Sequence, residues 1–239
     1  MKKQLFGVNI TIDSKNDILS EVENYLLGKS KKSPFVIVTP NPEQVMLAQH
    51  DKEFLKLLNK ADVALPDGVG LVWAMKGIVS RIPGVDFMSD LVRMANKNSW
   101  EIGLVGGWNG VGKKALAELQ TSYANLKGWA MEPEKTSVEK LAKQIIDSNT
   151  KIVFVGLGAP KQEEYIDVLK KQCKQVVFMS VGGAFDMIAG GVKRAPLWMQ
   201  KLGLEWLYRL FQEPWRWKRQ VAIIEFLFLV IKERFLHTK

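Results

Sequence analysis

Asp67 stands in the run Pro66-Asp67-Gly68-Val69-Gly70, directly after a short apolar stretch and among small residues. A carboxylate in such a place has two readings. It caps the helix that follows, since aspartate is a favoured N-cap. Or it faces a pocket and accepts a proton from a reacting hydroxyl. Asp86 and Asp186 are its rivals for the second role, and Asp186 also suits fixing the loop around Gly182 and Gly183. A different chemistry is written near the end of the chain. There Arg194, Arg209, Arg216 and Arg219 are interspersed with Trp198, Trp206, Trp215 and Trp217. Arginine grips phosphate through a planar fork, and tryptophan is enriched where lipid meets water. Both on one short segment point to a phosphorylated substrate met at a lipid interface. Arg209 has a plainer option as well, because Glu205 and Glu213 lie at helical spacing on either side of it. The aromatic residues likewise suit a core or a dimer seam.

The elements that must position these groups are legible as a rhythm. Runs rich in Val and Ile occur at 34–39, 62–66, 100–106, 151–156 and 175–181. They are apolar at consecutive positions, as in strands of a parallel sheet covered on both faces. Amphipathic stretches such as 110–125, 137–149 and 160–173 lie between them, and segments near 5–12 and 127–131 are weaker strand candidates. The alternation predicts an α/β fold: a Rossmann-like open, mostly parallel sheet with helices on both faces. From Ala195 the pattern is helical only, with Pro196 and Pro214 suited to first turns. The chain therefore divides into a Rossmann-like core, residues 1–195, and a C-terminal helical appendage, residues 196–239.

Ligands of open α/β sheets bind beyond the carboxyl ends of the strands. All five expected strands end in loops that combine glycine or proline with hydrogen-bonding side chains, which points to a shared pocket. The loop from Gly106 through Gly107 to Gly112 follows a strand and opens a helix, so its amides could approach a diphosphate. The same glycines also suit a tight turn with no ligand. No Asp-x-Asp pair occurs in the sequence. Many nucleotide-sugar enzymes hold a divalent metal on the diphosphate with such a pair. Here the appendage arginines could neutralise the leaving group instead.

Composition sets the outer bounds. The formal net charge is +9, which favours an anionic partner. Within 195–239, eight Lys and Arg stand against four Glu. One cysteine, Cys173, excludes a disulfide framework and points to a reducing compartment. Two distant histidines, His50 and His237, give a Cys/His metal site nothing to build with. No secretory signal is expected after Met1-Lys2-Lys3. The run from Val221 to Ile231, broken by Glu225, is short of the ~18 residues of a spanning helix.

The motifs TPNPEQ, ADVALPDGVG, RIPGVDF and GLGAPKQE, and the long block GGAFDMIAGGVKRAPLWMQKLGLEWLYRLFQEPWRW, resemble the WecG/TagA/CpsF glycosyltransferases, family 26. The resemblance runs over nearly the whole chain in the expected order. It implies an inverting, metal-independent hexosyltransferase with no cofactor, at work on the inner, cytoplasmic face of the plasma membrane as a peripheral protein. In the teichoic acid branch of the family, N-acetylmannosamine passes from UDP to undecaprenyl-diphosphate-N-acetylglucosamine. Other branches use another UDP-hexose, such as the uronic acid of N-acetylmannosamine or glucose, for common antigen, capsule or exopolysaccharide intermediates. The resemblance implies that Asp67 is the catalytic base and that Thr39, Asn41, Arg81 and Gln162 bind substrate. Arg209, Arg216 and Arg219 match appendage arginines that engage diphosphates. Gly106, Gly107 and Asp186 are expected to shape the nucleotide pocket. The partners implied are a UDP-sugar donor, a polyprenyl-diphosphate-linked sugar and an anionic membrane surface, with no nucleic acid. A homo-oligomer is left open, as is whether the appendage closes over its own site.

Two other classes were weighed. A dinucleotide-dependent oxidoreductase fits the sheet and the glycine loop. It lacks a clean G-x-G-x-x-G and a distinctive acidic residue about 20 positions on. A nucleic-acid-binding module fits the charge. Its basic residues are scattered, and its tryptophans sit in apolar helical stretches.

Overall fold

The computed structural model describes residues 1–29, 33–214 and 217–236, with the side chains of residues 135, 218–220 and 235–236 outside that description. The chain opens with a hairpin of β1 (Lys2–Leu5) and β2 (Val8–Thr11), paired antiparallel. Its turn residues Phe6 and Gly7 have φ of 47° and 78°, the left-handed pair that a tight hairpin favours. The helix α1 (Lys15–Leu26), capped by the Ser14 hydroxyl, leads towards β3 (Phe35–Val38). Two helices, α2 (Pro42–His50) and α3 (Lys52–Lys60), connect β3 to the short strand β4 (Val63–Ala64). Next come α4 (Val69–Ala74), α5 (Gly84–Asn98) and β5 (Ile102–Gly106). The alternation continues through α6 (Val111–Ser122), β6 (Gly128–Met131), α7 (Val138–Asp147), β7 (Ile152–Gly156), α8 (Lys161–Leu169) and β8 (Val177–Ser180). From there the chain is helical: α9 (Ala184–Ile188), α10 (Leu197–Lys201), α11 (Glu205–Gln212) and α12 (Trp217–Leu236).

Strands β3 to β8 form one six-stranded parallel sheet in the order β4-β3-β8-β7-β5-β6. Successive side chains of a strand point to opposite faces. Val153 and Val155 of β7 accordingly enter one core with Val45, Phe54 and Ile166. Ile152 and Phe154 enter the other, with Leu91, Leu116 and Phe185. The central strands are buried at every position, which explains why their sequences carry no polar alternation. The expected strand at 62–66 contributes only two residues to the ladder. Beyond it Leu65 donates to the Val38 carbonyl at 2.8 Å and Asp67 to that of Pro40 at 3.0 Å. This extension carries Asp67 past the sheet edge, beside the end of β3. The segment expected at 5–12 is the hairpin, which stands apart from the main sheet.

The last helix lies along α2. It buries Phe226 and Val230, and the Phe226 ring meets Phe6 edge-on with centroids 5.9 Å apart. At its other end the Arg234 guanidinium sits 4.2 Å above the Trp73 ring and donates to the Trp73 carbonyl at 2.6 Å. Among the described residues no helix is long and apolar enough to cross a membrane.

Candidate active site

Strand order reverses between β3 and β8. The chain leaves β3 outward to β4, whereas β8 is reached from β7 on the other side. A crevice at the carboxyl ends follows from that topology. A cleft of about 460 Å³ opens there. Its core wall carries Thr39, Asn41, Asp67, Gly84 and Gly183, the residues that follow β3, β4 and β8 and that open α5. The opposite wall comes from the helical segment, with Glu205, Tyr208, Arg209 and Phe226. Thr39 ties the two central strands together, its hydroxyl donating to the Ser180 carbonyl at 3.4 Å. Asn41 caps α2 by accepting from the Gln44 amide at 3.0 Å, which leaves its own amide group for the cleft.

Asp67 does not cap the helix after it. The cap position of α4 is Gly68, with no side-chain hydrogen bond. The Asp67 carboxylate instead lies beside Gly84, at the start of α5, whose backbone amide favours its ionised form. A side chain at Gly84 would press against Thr39 at 3.0 Å and approach Asp67 Oδ2 at 3.5 Å, so glycine is what lets the helix end come this close. Burial pushes Asp67 up from 3.8 to about 6, against the pull of the Arg81 guanidinium and the Gly84 amide, with Glu205 and Asp86 adding to the rise. A carboxyl poised near 6 is ionised at neutral pH yet more basic than an ordinary aspartate, as a general base requires.

The cations sit on the appendage side and between the two walls. Arg209 lays its guanidinium on the end of β8, where a side chain at Gly183 would lie 2.4 Å from Nη2. Its Nε donates to Glu213 at 2.7 Å, so the plain helical pairing holds for Glu213. Glu205 pairs elsewhere, with Arg81 and Arg194. Lys193 and Arg194 also line the cleft. The Gln212 side chain fixes the Lys193 backbone, accepting from its amide at 2.9 Å and donating to its carbonyl at 2.8 Å.

Of the expected site residues, Thr39, Asn41, Asp67, Arg81 and Arg209 meet in this cleft. Four others are placed away from its wall. Gln162 is 1% exposed; its Oε1 accepts from the Gly182 amide at 3.0 Å and its Nε2 donates to Glu163 at 2.8 Å. It thus supports the loop after β8 from beneath. Gly106 ends β5 and Gly107 follows it, two strands from the reversal. A side chain at Gly106 would lie 2.4 Å from the Gly156 carbonyl, and one at Gly107 2.5 Å from the Gly112 amide, so both serve close backbone packing. Asp186 lies in α9, where its carbonyl accepts from Gly191 and Val192 at 2.9 and 3.1 Å and folds that loop back. Arg216 lies outside the described residues, as does the side chain of Arg219. Lys193, Glu205 and Tyr208 are wall residues that the sequence reading did not assign. All three lie in the long block that carried the family resemblance, with Lys193 next to Arg194.

Residues 3–239 match the profile of the Glycosyl transferase WecG/TagA/CpsF family. The chain belongs to that family. Among curated relatives, it is 38% identical over 206 residues to the N-acetylglucosaminyldiphosphoundecaprenol N-acetyl-beta-D-mannosaminyltransferase of Bacillus subtilis (strain 168), covering 83% of this chain and 79% of that one. The protein of the same name from Staphylococcus aureus (strain MRSA252) is 31% identical over 242 residues, covering 98% of this chain and 93% of the relative. Membership in a glycosyltransferase family fits the cleft at the strand reversal, with an acid on its floor and arginines on its rim.

Proposed function

We propose that the protein transfers N-acetylmannosamine from UDP to the N-acetylglucosamine of a polyprenyl-diphosphate lipid, with inversion and without a metal ion. The observation that carries this reading is Asp67, a carboxyl held near 6 on the floor of a cleft rimmed by Arg81, Lys193, Arg194 and Arg209. The acceptor hydroxyl attacks the anomeric carbon of the donor from the face opposite UDP. Its proton passes to Asp67, the new C–O bond forms, and UDP leaves with the electron pair of the broken one. The charge that grows on the departing diphosphate falls among the rim cations. Thr39 and Asn41 offer hydroxyl and amide groups to sugar hydroxyls, Arg81 adds a cation, and Gln162 holds the loop they face. Arg216 and Arg219 are assigned to the diphosphates on the family resemblance alone.

The same reading places the protein on an anionic leaflet. Leu197, Trp198, Leu202 and Phe211 stand exposed on α10, α11 and the turn between them, and Ile224, Phe228 and Ile231 do so on α12. Such apolar surface beside basic residues suits the headgroup boundary, with each cation near the surface contributing ~1 kcal/mol that salt screens.

The test is an incubation with short-chain prenyl-diphosphate-N-acetylglucosamine and a panel of UDP-sugars, with EDTA in a parallel tube and the product read by mass. The expected product carries one added N-acetylhexosamine from UDP-N-acetylmannosamine, with or without EDTA. Transfer of a different hexose, or loss of transfer in EDTA, would correct the donor or the metal statement respectively.

A further inference from the structure

Four charged side chains form a chain of three ion pairs along one wall of the cleft. Asp86, in the first turn of α5, accepts a bidentate pair from Arg194, at 2.6 Å from Nη1 and 2.9 Å from Nη2. Arg194 Nε then reaches Glu205 Oε1 at 3.4 Å. The other oxygen of Glu205 accepts from Arg81 Nη2, and Arg81 Nη1 donates to the Gln200 carbonyl at 3.0 Å. Arg81 and Asp86 belong to the core, Arg194 to the segment before α10, and Glu205 opens α11. Two of the three links, Arg194–Glu205 and Arg81–Glu205, therefore join core to appendage, and the third braces Arg194 against α5. All four side chains are partly shielded from solvent, so the links are screened less than surface pairs.

This chain of pairs borders Asp67. The charges bearing on its carboxyl are Arg81 from the loop before α5, Asp86 from α5 and Glu205 from α11, together with the Gly84 amide. The other charged groups on the cleft wall are Glu43 from α2, Lys193 and Arg194 from the segment before α10, and Arg209 from α11.

We propose that Glu205 is a positioning residue of the transfer reaction: with Arg81, Asp86 and Arg194 it latches the appendage onto the strand ends and fixes the charges that face Asp67. The inference rests on the reading of Asp67 as the base. With the latch shut, the Arg81 charge is shared with Glu205 and the base keeps its proton affinity. With the latch open, Glu205 withdraws, Arg81 faces Asp67 alone, and Asp67 becomes a weaker base. Proton acceptance is thereby tied to an assembled cleft.

Two substitutions in the full chain, Glu205→Gln and Arg81→Met, test this through opposite signs. Activity that needs ionised Asp67 falls as pH drops through its pKa. Glu205→Gln removes an anion and leaves Arg81 unshared, so the acid limb of kcat/KM moves to lower pH. Arg81→Met removes the cation, so the limb moves to higher pH. In Glu205→Gln the plateau of kcat/KM falls about 10- to 100-fold, the scale of a misplaced site, and amides of 197–212 exchange faster with solvent. An acid limb that stays put in Glu205→Gln, or moves the same way in both variants, overturns the proposal. So does unchanged exchange in 197–212. The exchange arm uses no substrate, so a wild-type protein that transfers nothing refutes the assigned reaction, while the joint is still judged by its own measurement.

Discussion

In the α/β core most large apolar side chains are enclosed: Phe54, Phe87, Phe154 and Phe178 are all but inaccessible. In the appendage the balance is reversed. Leu197, Phe211 and Phe228 are 72%, 74% and 69% exposed, and Met199, Phe226 and Val230 are its buried apolar anchors among the described residues. Much of the remaining attachment is polar, through Arg194, Glu205, Gln212 and Arg234. A segment with few buried contacts opens at lower free energy than the core it rests on. Yet this weaker region supplies one wall of the cleft, whereas the rigid one supplies Asp67 and the strand ends. On the proposed reading, a site assembled from both would be complete only with the appendage seated, and the apolar side chains left outside would be the ones that a leaflet covers.

The contrast can be broken most forcefully on the exposed face. Replacing Trp198, Phe211 and Phe228 together with Glu removes three apolar contacts and adds three negative charges. Binding to vesicles with anionic lipid should drop by at least about 100-fold, with the melting temperature held. Transfer to a water-soluble short-chain acceptor should survive in that variant. Loss of the melting transition instead would mean that these side chains are core. A second effect, on stability rather than on lipid binding, is expected at the anchor. Phe226→Ala vacates a fully buried site against Phe6 and α2, at a cost of about 3–5 kcal/mol. Calorimetry should show that loss, with transfer weakened as the wall retreats. An unaltered melt would show that α12 is not held there.

The smallest effect sharpens the comparison from the core side. Glu163 is 3% exposed, and burial pushes it up from 4.5 to about 7, opposed by the hydrogen bond from Gln162. The folded chain thus keeps a proton that the unfolded chain has lost between those values. The stabilisation is complete below 4.5 and is lost as pH rises through about 7. Glu163→Gln mimics the protonated form, so it should raise the melting temperature at pH 8 by a few degrees and leave it unchanged at pH 4. A variant melting lower at pH 8 would show that the carboxylate is wanted ionised beneath the loop.

Much of this was legible in the chain itself. The runs at 34–39, 100–106, 151–156 and 175–181 contain β3, β5, β7 and β8, because strands buried on both faces need apolar side chains at every position. Asp67 was singled out by its place between a buried strand and glycines. The strand order was not legible, since it depends on which distant segments pair. That is why the glycine turn at 106–112 looked like a phosphate loop although β5 lies away from the reversal. Gln162 reads as a polar pocket residue, but its place in the first turn of α8 directs it under Gly182. Glu205 looked like a helical partner for Arg209. Arg81, 124 residues away, and Arg194, 11 residues away on the far side of α10, claim it instead.

The most direct measurement compares turnover of the wild type and Asp67→Asn with UDP-N-acetylmannosamine and a short-chain prenyl-diphosphate acceptor, with UDP affinity and the pH profile taken alongside. Removal of a general base should lower kcat by about 10²–10⁴ while UDP still binds, and wild-type kcat/KM should fall away below about pH 6. Turnover near the wild-type value in Asp67→Asn, or a wild-type profile flat through that range, would contradict the account.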